Sequence, residues 1–230
     1  ASNAMARQMF EQASALDPNY AKARARLAWT YHQDWLHQWT QGPGSLDRAL
    51  ETARKAVAMD NSSAEAHLTY GWNLLWKKQQ DLGVAELEKA VSLDPNFADA
   101  YAHLAQGMNY LGKPGEAIEF VRKAMRLDPN YASWVAYFLG DSCYMLRRYD
   151  EAIAAYRETL RRNPDFSFAQ AQIAGVYAEM GKENEARAAA AEVLRIDPGF
   201  SVNWVQDNVP NKNPADMDRR IAALQKAGLK

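Results

Sequence analysis

Four histidines and one cysteine are the side chains of this 230-residue chain most readily turned to chemistry. His32 and His37 flank Asp34, which poses the question of a metal site. Two helical imidazoles share a face only at a spacing of three or four, and a spacing of five sets these two on different sides. His67 and His103 stand alone and fit packing or surface roles better than acid–base catalysis. Cys143 is the single cysteine, so no intrachain disulfide can form. Its position on a first helix, on the face turned to the partner helix, points to a buried, inert thiol. No serine or cysteine sits in a nucleophile elbow. The glycine turns GPG (42–44) and GKPGE (112–116) lack the spacing of a phosphate loop. No metal, cofactor or catalytic set follows from these residues, and the chain reads as a non-enzyme.

Bulk composition narrows the partners. A net charge of −1 gives no electrostatic attraction to nucleic acid or an anionic membrane. The basic pairs Arg147-Arg148 and Arg161-Arg162 read as solvated helix surface. The apolar tract WVAYFLG (134–140) is far shorter than the ~18 residues that span a bilayer. A lone cysteine and the lack of a leader-like segment suggest a reducing, cytoplasmic setting. The opening ASNAM (1–5) reads as a tag remnant and start.

The elements that must position everything else are announced by a five-residue phrase. LDPNY (16–20) returns as LDPNF (93–97) and LDPNY (127–131), with looser copies RNPDF (162–166) and IDPGF (196–200). Pro95, Pro129, Pro164 and Pro198 are separated by 34, 35 and 34 residues, and Asn61 stands one step earlier where a proline is due. A fixed period of this length is the mark of stacked repeats. Twelve residues before each stop lie Ala6, Ala49, Gly83, Ala117, Ala152 and Ala186. Twenty-four before lie Gly71, Ala105, Gly140 and Ala174, each preceded by a large residue (Tyr70, Leu104, Leu139, Ile173). Small residues let two helix backbones approach closely, and large ones fill the remaining space. Each unit is therefore two helices. The proline ends the second, because the residue before proline is driven out of helical geometry, and the Asn or Asp after it favours the turn.

This small/large/Pro pattern resembles the tetratricopeptide repeat over roughly residues 5–200. Two departures are plain: the early tryptophan of the first helix is His67, Tyr101, Ala136 or Gln170, and Asn61 replaces a proline. The expected fold is all-α, a right-handed superhelical solenoid of antiparallel helix pairs, with five to six repeats and a C-terminal capping helix. The units are a half-repeat at 6–20, repeats at 21–63, 64–97, 98–131, 132–166 and 167–200, and a cap at 201–230. Nine extra residues fall within 32–50 and imply a longer first helix and a Gly-Pro-Gly loop before a helix at Leu46 or Asp47. In the cap, Pro210 ends a short helix, and Asn213 and Pro214 start a last one reaching about Ala227. Its Met217, Ile221 and Leu224 would cover the end of the array. Residues 6–17 match only a second helix, so Met9 and Phe10 form an apolar edge suited to a homodimer or to a longer parent protein; a natural half-repeat cap is the other reading.

In such arrays the first helices line the concave face. By register that face carries Trp29 and His32; Leu68, Trp72, Leu75 and Trp76; His103, Gln106, Asn109 and Tyr110; Trp134, Tyr137, Asp141 and Tyr144; Phe168 and Gln172. Tryptophan and tyrosine give large contact area at low entropy cost, which suits a binding groove for a peptide or protein segment. The competing reading packs Trp72, Trp76, Tyr110 and Tyr144 between helices. The basic clamp of some chaperone-binding relatives is absent: Ala25, Trp29, Leu68, Trp72, Ala102, Gln106 and Tyr137 occupy its positions. That favours an apolar or mixed segment over an acidic tail. The phrases AWTYHQDWLHQW, GSLDRALETARKAV, LRRYDEA and AALQKAGL also resemble the repeat region downstream of bacterial class III nucleotide cyclase domains. That resemblance implies a regulatory module of a signalling protein and transfers no catalytic residue. Self-association is the third reading.

Overall fold

The structure is a computed structural model that describes residues 2–39 and 44–230. Among the described residues there are thirteen helices and no strand. The chain divides into two compact units, one running to Gly107 and the other starting at Met108.

The first unit holds α1 (Ser2–Leu16), α2 (Ala21–Leu36), α3 (Ser45–Met59), α4 (Ala64–Trp76), α5 (Gln80–Leu93) and most of α6 (Ala98–Tyr110). The second holds the end of α6, then α7 (Pro114–Leu127), α8 (Ser133–Met145), α9 (Tyr149–Arg162), α10 (Ser167–Glu179), α11 (Glu183–Ile196), α12 (Val202–Asn208) and α13 (Pro214–Lys226). Consecutive helices pack side by side: α2 on α3 and α4 on α5 in the first unit, α8 on α9 and α10 on α11 in the second; the last three of these pairs are joined by short turns. Turns this short oblige those partners to run antiparallel. The nine extra residues divide into three that lengthen α2, five in the α2–α3 connection and one in α3. α3 starts at Ser45, just before the expected Leu46; Gly42 and Pro43 of the expected loop lie outside the described residues. α1 begins at Ser2, so the residues set aside as a tag remnant extend the helix, and Asn3 hydrogen-bonds the Thr30 carbonyl and Asp34.

The repeated stop works through the residue before the proline, which sequence reading credited to its neighbours. Asp60, Asp94, Asp128, Asn163 and Asp197 all have extended backbone, with φ between −144° and −129° and ψ near 95°. Each side-chain oxygen accepts the N–H two residues on, at 2.9–3.2 Å. Each carbonyl accepts the N–H three residues on. This side-chain turn competes with the helix and ends it. It also explains why Asn61 can replace proline without loss of the stop: Asp60 makes the turn unaided.

The turn inside each pair is a left-handed cap. Lys78, Gly112, Arg147 and Gly181 have φ between 58° and 78°, and the next N–H reaches back five residues, as from Gln79 to the Leu74 carbonyl at 3.0 Å. This geometry satisfies the last carbonyls of the first helix.

Small residues sit where backbones touch. A Cβ on Gly71 would lie 2.7 Å from the Gly83 carbonyl oxygen, and one on Gly83 would lie 2.8 Å from that of Gly71. A Cβ on Gly140 would run into the Tyr156 ring. In the second unit Ala152, Ala174, Ala186, Val176 and Val193 share one core with Tyr156 and Ile153.

Two kinds of substitution test this account by urea unfolding. Gly71→Ala forces the α4–α5 crossing apart and should cost about 1–3 kcal/mol. Lys78→Gly and Arg147→Gly, at exposed left-handed positions, should each add about 0.5–1 kcal/mol, since only glycine holds that conformation without a Cβ penalty. Unchanged midpoints for all three would place the crossing and the caps elsewhere.

Candidate functional site

The first helices of the pairs carry the residues expected to bind, and the two units treat them differently. In the first unit they form an aromatic nest around His32, which is fully buried. The rings of Trp29, Trp35, Trp72 and Trp76 stand 5.7–6.0 Å from its ring. The Trp72 indole N–H donates to His32 Nε2 at 3.0 Å, which leaves Nδ1 to donate to Asn73 Oδ1 at 3.1 Å. Asn73 Nδ2 in turn donates to the Thr69 carbonyl at 2.8 Å. An indole can only donate, so this chain of bonds holds the imidazole neutral in one tautomer. Burial pushes its pKa from 6.5 down to about 3, opposed in part by the bond to Asn73. His103 is also buried; burial lowers its pKa, and it donates to the Asp99 carbonyl at 2.7 Å while its ring lies edge-on to Trp29 and Trp72.

The accessibility expected of this nest needs correction. Trp72 is 5% exposed and Trp76 9%, and Leu68, Leu75, His103 and Gln106 are buried as well. Trp29 remains half-buried. The Trp72 indole N–H is spent on His32 and does not face a ligand.

In the second unit the first helices hold polar side chains that answer one another. Asn109 Nδ2 donates to the Phe138 carbonyl at 3.1 Å, and its Oδ1 accepts from Ser142 Oγ at 2.9 Å. Asp141, 1% exposed, accepts from Tyr156 Oη at 2.9 Å and faces the Arg220 guanidinium at 3.4 Å. Burial pulls the Arg220 pKa down, but the Asp141 carboxylate and the surrounding Tyr137, Tyr156 and Tyr144 together outweigh it and hold the guanidinium above its ordinary value. Tyr144 donates to Glu179 at 2.5 Å, and Tyr149 donates to the other oxygen of that carboxylate at 2.5 Å. Burial first, then the Glu179 bond, raises the Tyr144 phenol to about 12. Cys143 is buried, as expected, and burial raises its pKa.

Here too the expected anchors are mostly covered. Tyr144 is 2% exposed, and Tyr110, Asn109, Asp141 and Gln172 are buried. Trp134, Tyr137 and Phe168 are half-buried. Trp134 packs on Phe138, Tyr137 on Phe166 and Tyr156, and Phe168 on Phe200 and Trp204. The cover on Asp141 and Tyr144 is α13. Its Met217, Ile221 and Leu224 are buried, and the helix lies on α10, the first helix of the last repeat. Sequence reading missed Arg219, Arg220 and Glu179. Two adjacent arginines within an apolar 3–4 spacing were the available signal.

Comparison with known proteins agrees with this architecture. Three models of the tetratricopeptide repeat match residues 34–139, 134–166 and 169–200. Together they take in most of the chain, which belongs to the tetratricopeptide-repeat family. Among solved structures it is similar to the Cut9–Hcn1 hetero-tetramer of the APC/C (TM-score 0.74, 20% identity, 86% of this chain, 38% of that one). It is also similar to TTC0263 of Thermus thermophilus (TM-score 0.66, 19% identity, 89% and 98% covered), and to YrrB, described as having an unusual peptide-binding site (TM-score 0.52, 20% identity, 83% and 93% covered). A protein of Rhizobium meliloti (strain 1021), provisionally named adenylate cyclase 3, is 33% identical over 77 residues, which is 33% of this chain and 13% of that protein.

The neutral His32 makes stability depend on pH. Between pH 6.5 and about 3 the unfolded chain takes up a proton that the folded chain refuses. The contribution is therefore complete above 6.5 and is lost as pH falls toward 3, at a limiting slope of about 1.4 kcal/mol per pH unit. Urea unfolding between about pH 7 and 4.5 should show a shallower loss for His32→Gln than for the parent, with the His103 contribution common to both. Parallel curves would mean that His32 is not held neutral.

Proposed function

We propose that the chain is a non-enzymatic scaffold that binds a protein or peptide segment on its first helices. The observation that supports this best is the series of two-helix repeats matched from residue 34 to 200, whose first helices concentrate the aromatic and polar side chains. Each such helix presents one row of side chains, and neighbouring repeats add rows in register. A segment laid across several rows gains contact area without any large single pocket. YrrB, a protein of the same fold, is described as having a peptide-binding site. Of the aromatics expected in the groove, Trp29, Trp134, Tyr137 and Phe168 are the half-buried ones and keep area for a partner.

A narrower reading makes the module a regulatory part of a nucleotide cyclase-like signalling protein. It is favoured by the 77-residue similarity to the Rhizobium meliloti protein. Self-association through α1 is a further proposal; no residue of α1 is buried, and Met5 and Met9 are each 63% exposed. On the scaffold reading no nucleic acid or membrane partner is required, and no described helix is long and apolar enough to cross a membrane.

Capture with the whole chain, followed by mapping of the bound segment, tests the scaffold reading. Trp134→Ala and Tyr137→Ala should each weaken the mapped segment roughly thirtyfold, since an aromatic anchor is worth about 2 kcal/mol. The exposed Glu119→Ala and Arg157→Ala should leave affinity within about twofold. Affinity that follows the charges and ignores the aromatics would overturn it.

A further inference from the structure

The last helix covers Asp141 and Tyr144, two of the residues expected on the groove. α13 lies on α10, where a Cβ on Gly175 would stand 3.5 Å from Leu224 and 3.6 Å from Ala223 Cβ. Its two adjacent arginines reach different acceptors. Arg220 points inward to Asp141, which Tyr156 also holds. Arg219 bonds the Tyr144 carbonyl at 2.7 Å and Glu179 at 3.1 Å, with its guanidinium 4.3 Å from the centre of the Tyr144 ring.

A permanent cap has no need of this chemistry. Apolar residues of similar volume close a helix face as well as a buried ion pair does, and often better, because the desolvation of both charges must be recovered. The Arg220 Nε is buried with no hydrogen-bond partner, so that recovery is incomplete. The helix also lies on α10 at ordinary contact distance, without the backbone interlock of Gly71 and Gly83. A buried carboxylate, a tyrosine face and a second carboxylate make a reader of paired guanidinium groups.

We propose that the α8–α10 face is a docking site for an amphipathic helix bearing two consecutive arginines, with α13 as its resident occupant, displaced when a partner presents the same pair. This rests on the scaffold reading and names the chemistry of the segment bound. A tethered α13 competes at an effective concentration in the millimolar range, so the unmodified chain binds such a partner weakly.

The probe is a labelled peptide copying residues 213–230. It should bind the full chain carrying Arg219→Ala/Arg220→Ala at least about tenfold tighter than the unmodified chain. Adding Asp141→Asn to that chain, or replacing both arginines of the peptide by alanine, should remove the gain. In the full chain carrying Gly175→Cys/Ala223→Cys, whose Cβ separation suits a disulfide, oxidation should abolish binding and reduction restore it to the level of the unmodified chain. A folded double-alanine chain that shows no gain, or a gain indifferent to Asp141, overturns the proposal. Should the variants not fold, hydrogen exchange of the unmodified chain decides: α13 amides must exchange at least about tenfold faster than those of α8 and α10, and equal rates overturn it. Failure of the scaffold reading looks different, because the probe would still bind while no variant captured a mapped foreign segment.

Discussion

The structure depends on how closely two helix backbones can approach within a pair. At Gly71 and Gly83 each backbone fills the place of the other's missing side chain. At Gly140 the place is taken by the Tyr156 ring. Contacts this close are specific to position, because a shift of one residue would bring a side chain into the gap. They also require short, sharply defined connections, which the left-handed caps and the aspartate turns provide.

Close crossings hold a pair together; buried polar groups define how neighbouring helices meet. The bonds from Trp72 to His32 to Asn73, and the bonds of Asn109 to Ser142 and the Phe138 backbone, link helices through donors and acceptors that are satisfied in one register. Leaving any of them without its partner inside a core costs about 1–3 kcal/mol. Burial is what suppresses the basicity of the His32 ring; the Trp72 indole N–H aimed at Nε2 fits the neutral ring that burial favours.

The surfaces that remain for binding follow from these demands. Aromatic residues on first helices were spent on packing wherever another element lay above them, as α13 does over Tyr144. Those at the margins of that packing, Trp134 and Phe168 among them, keep part of their area in solvent. On the proposed scaffold reading, a partner would meet partly open rings and not a cluster of basic side chains. That matches the absence of a basic clamp.

The sequence alone determined the helix pairs, their period and where they stop, since these rest on local rules: spacing of three to four, small residues at contact positions and a recurring proline motif; that the stop is made by the Asp or Asn before the proline came from the structure. The sequence also determined the start of α13 at Asn213 and Pro214, again by a local rule. Tertiary structure decided which aromatic side chains face solvent. Register places a residue on a helix face, but exposure depends on what else covers that face. Trp72 turned inward because His32, forty residues away, offers an acceptor, and Asp141 closed over because Arg220 arrives from seventy-nine residues away. No local pattern encodes a partner at such distance.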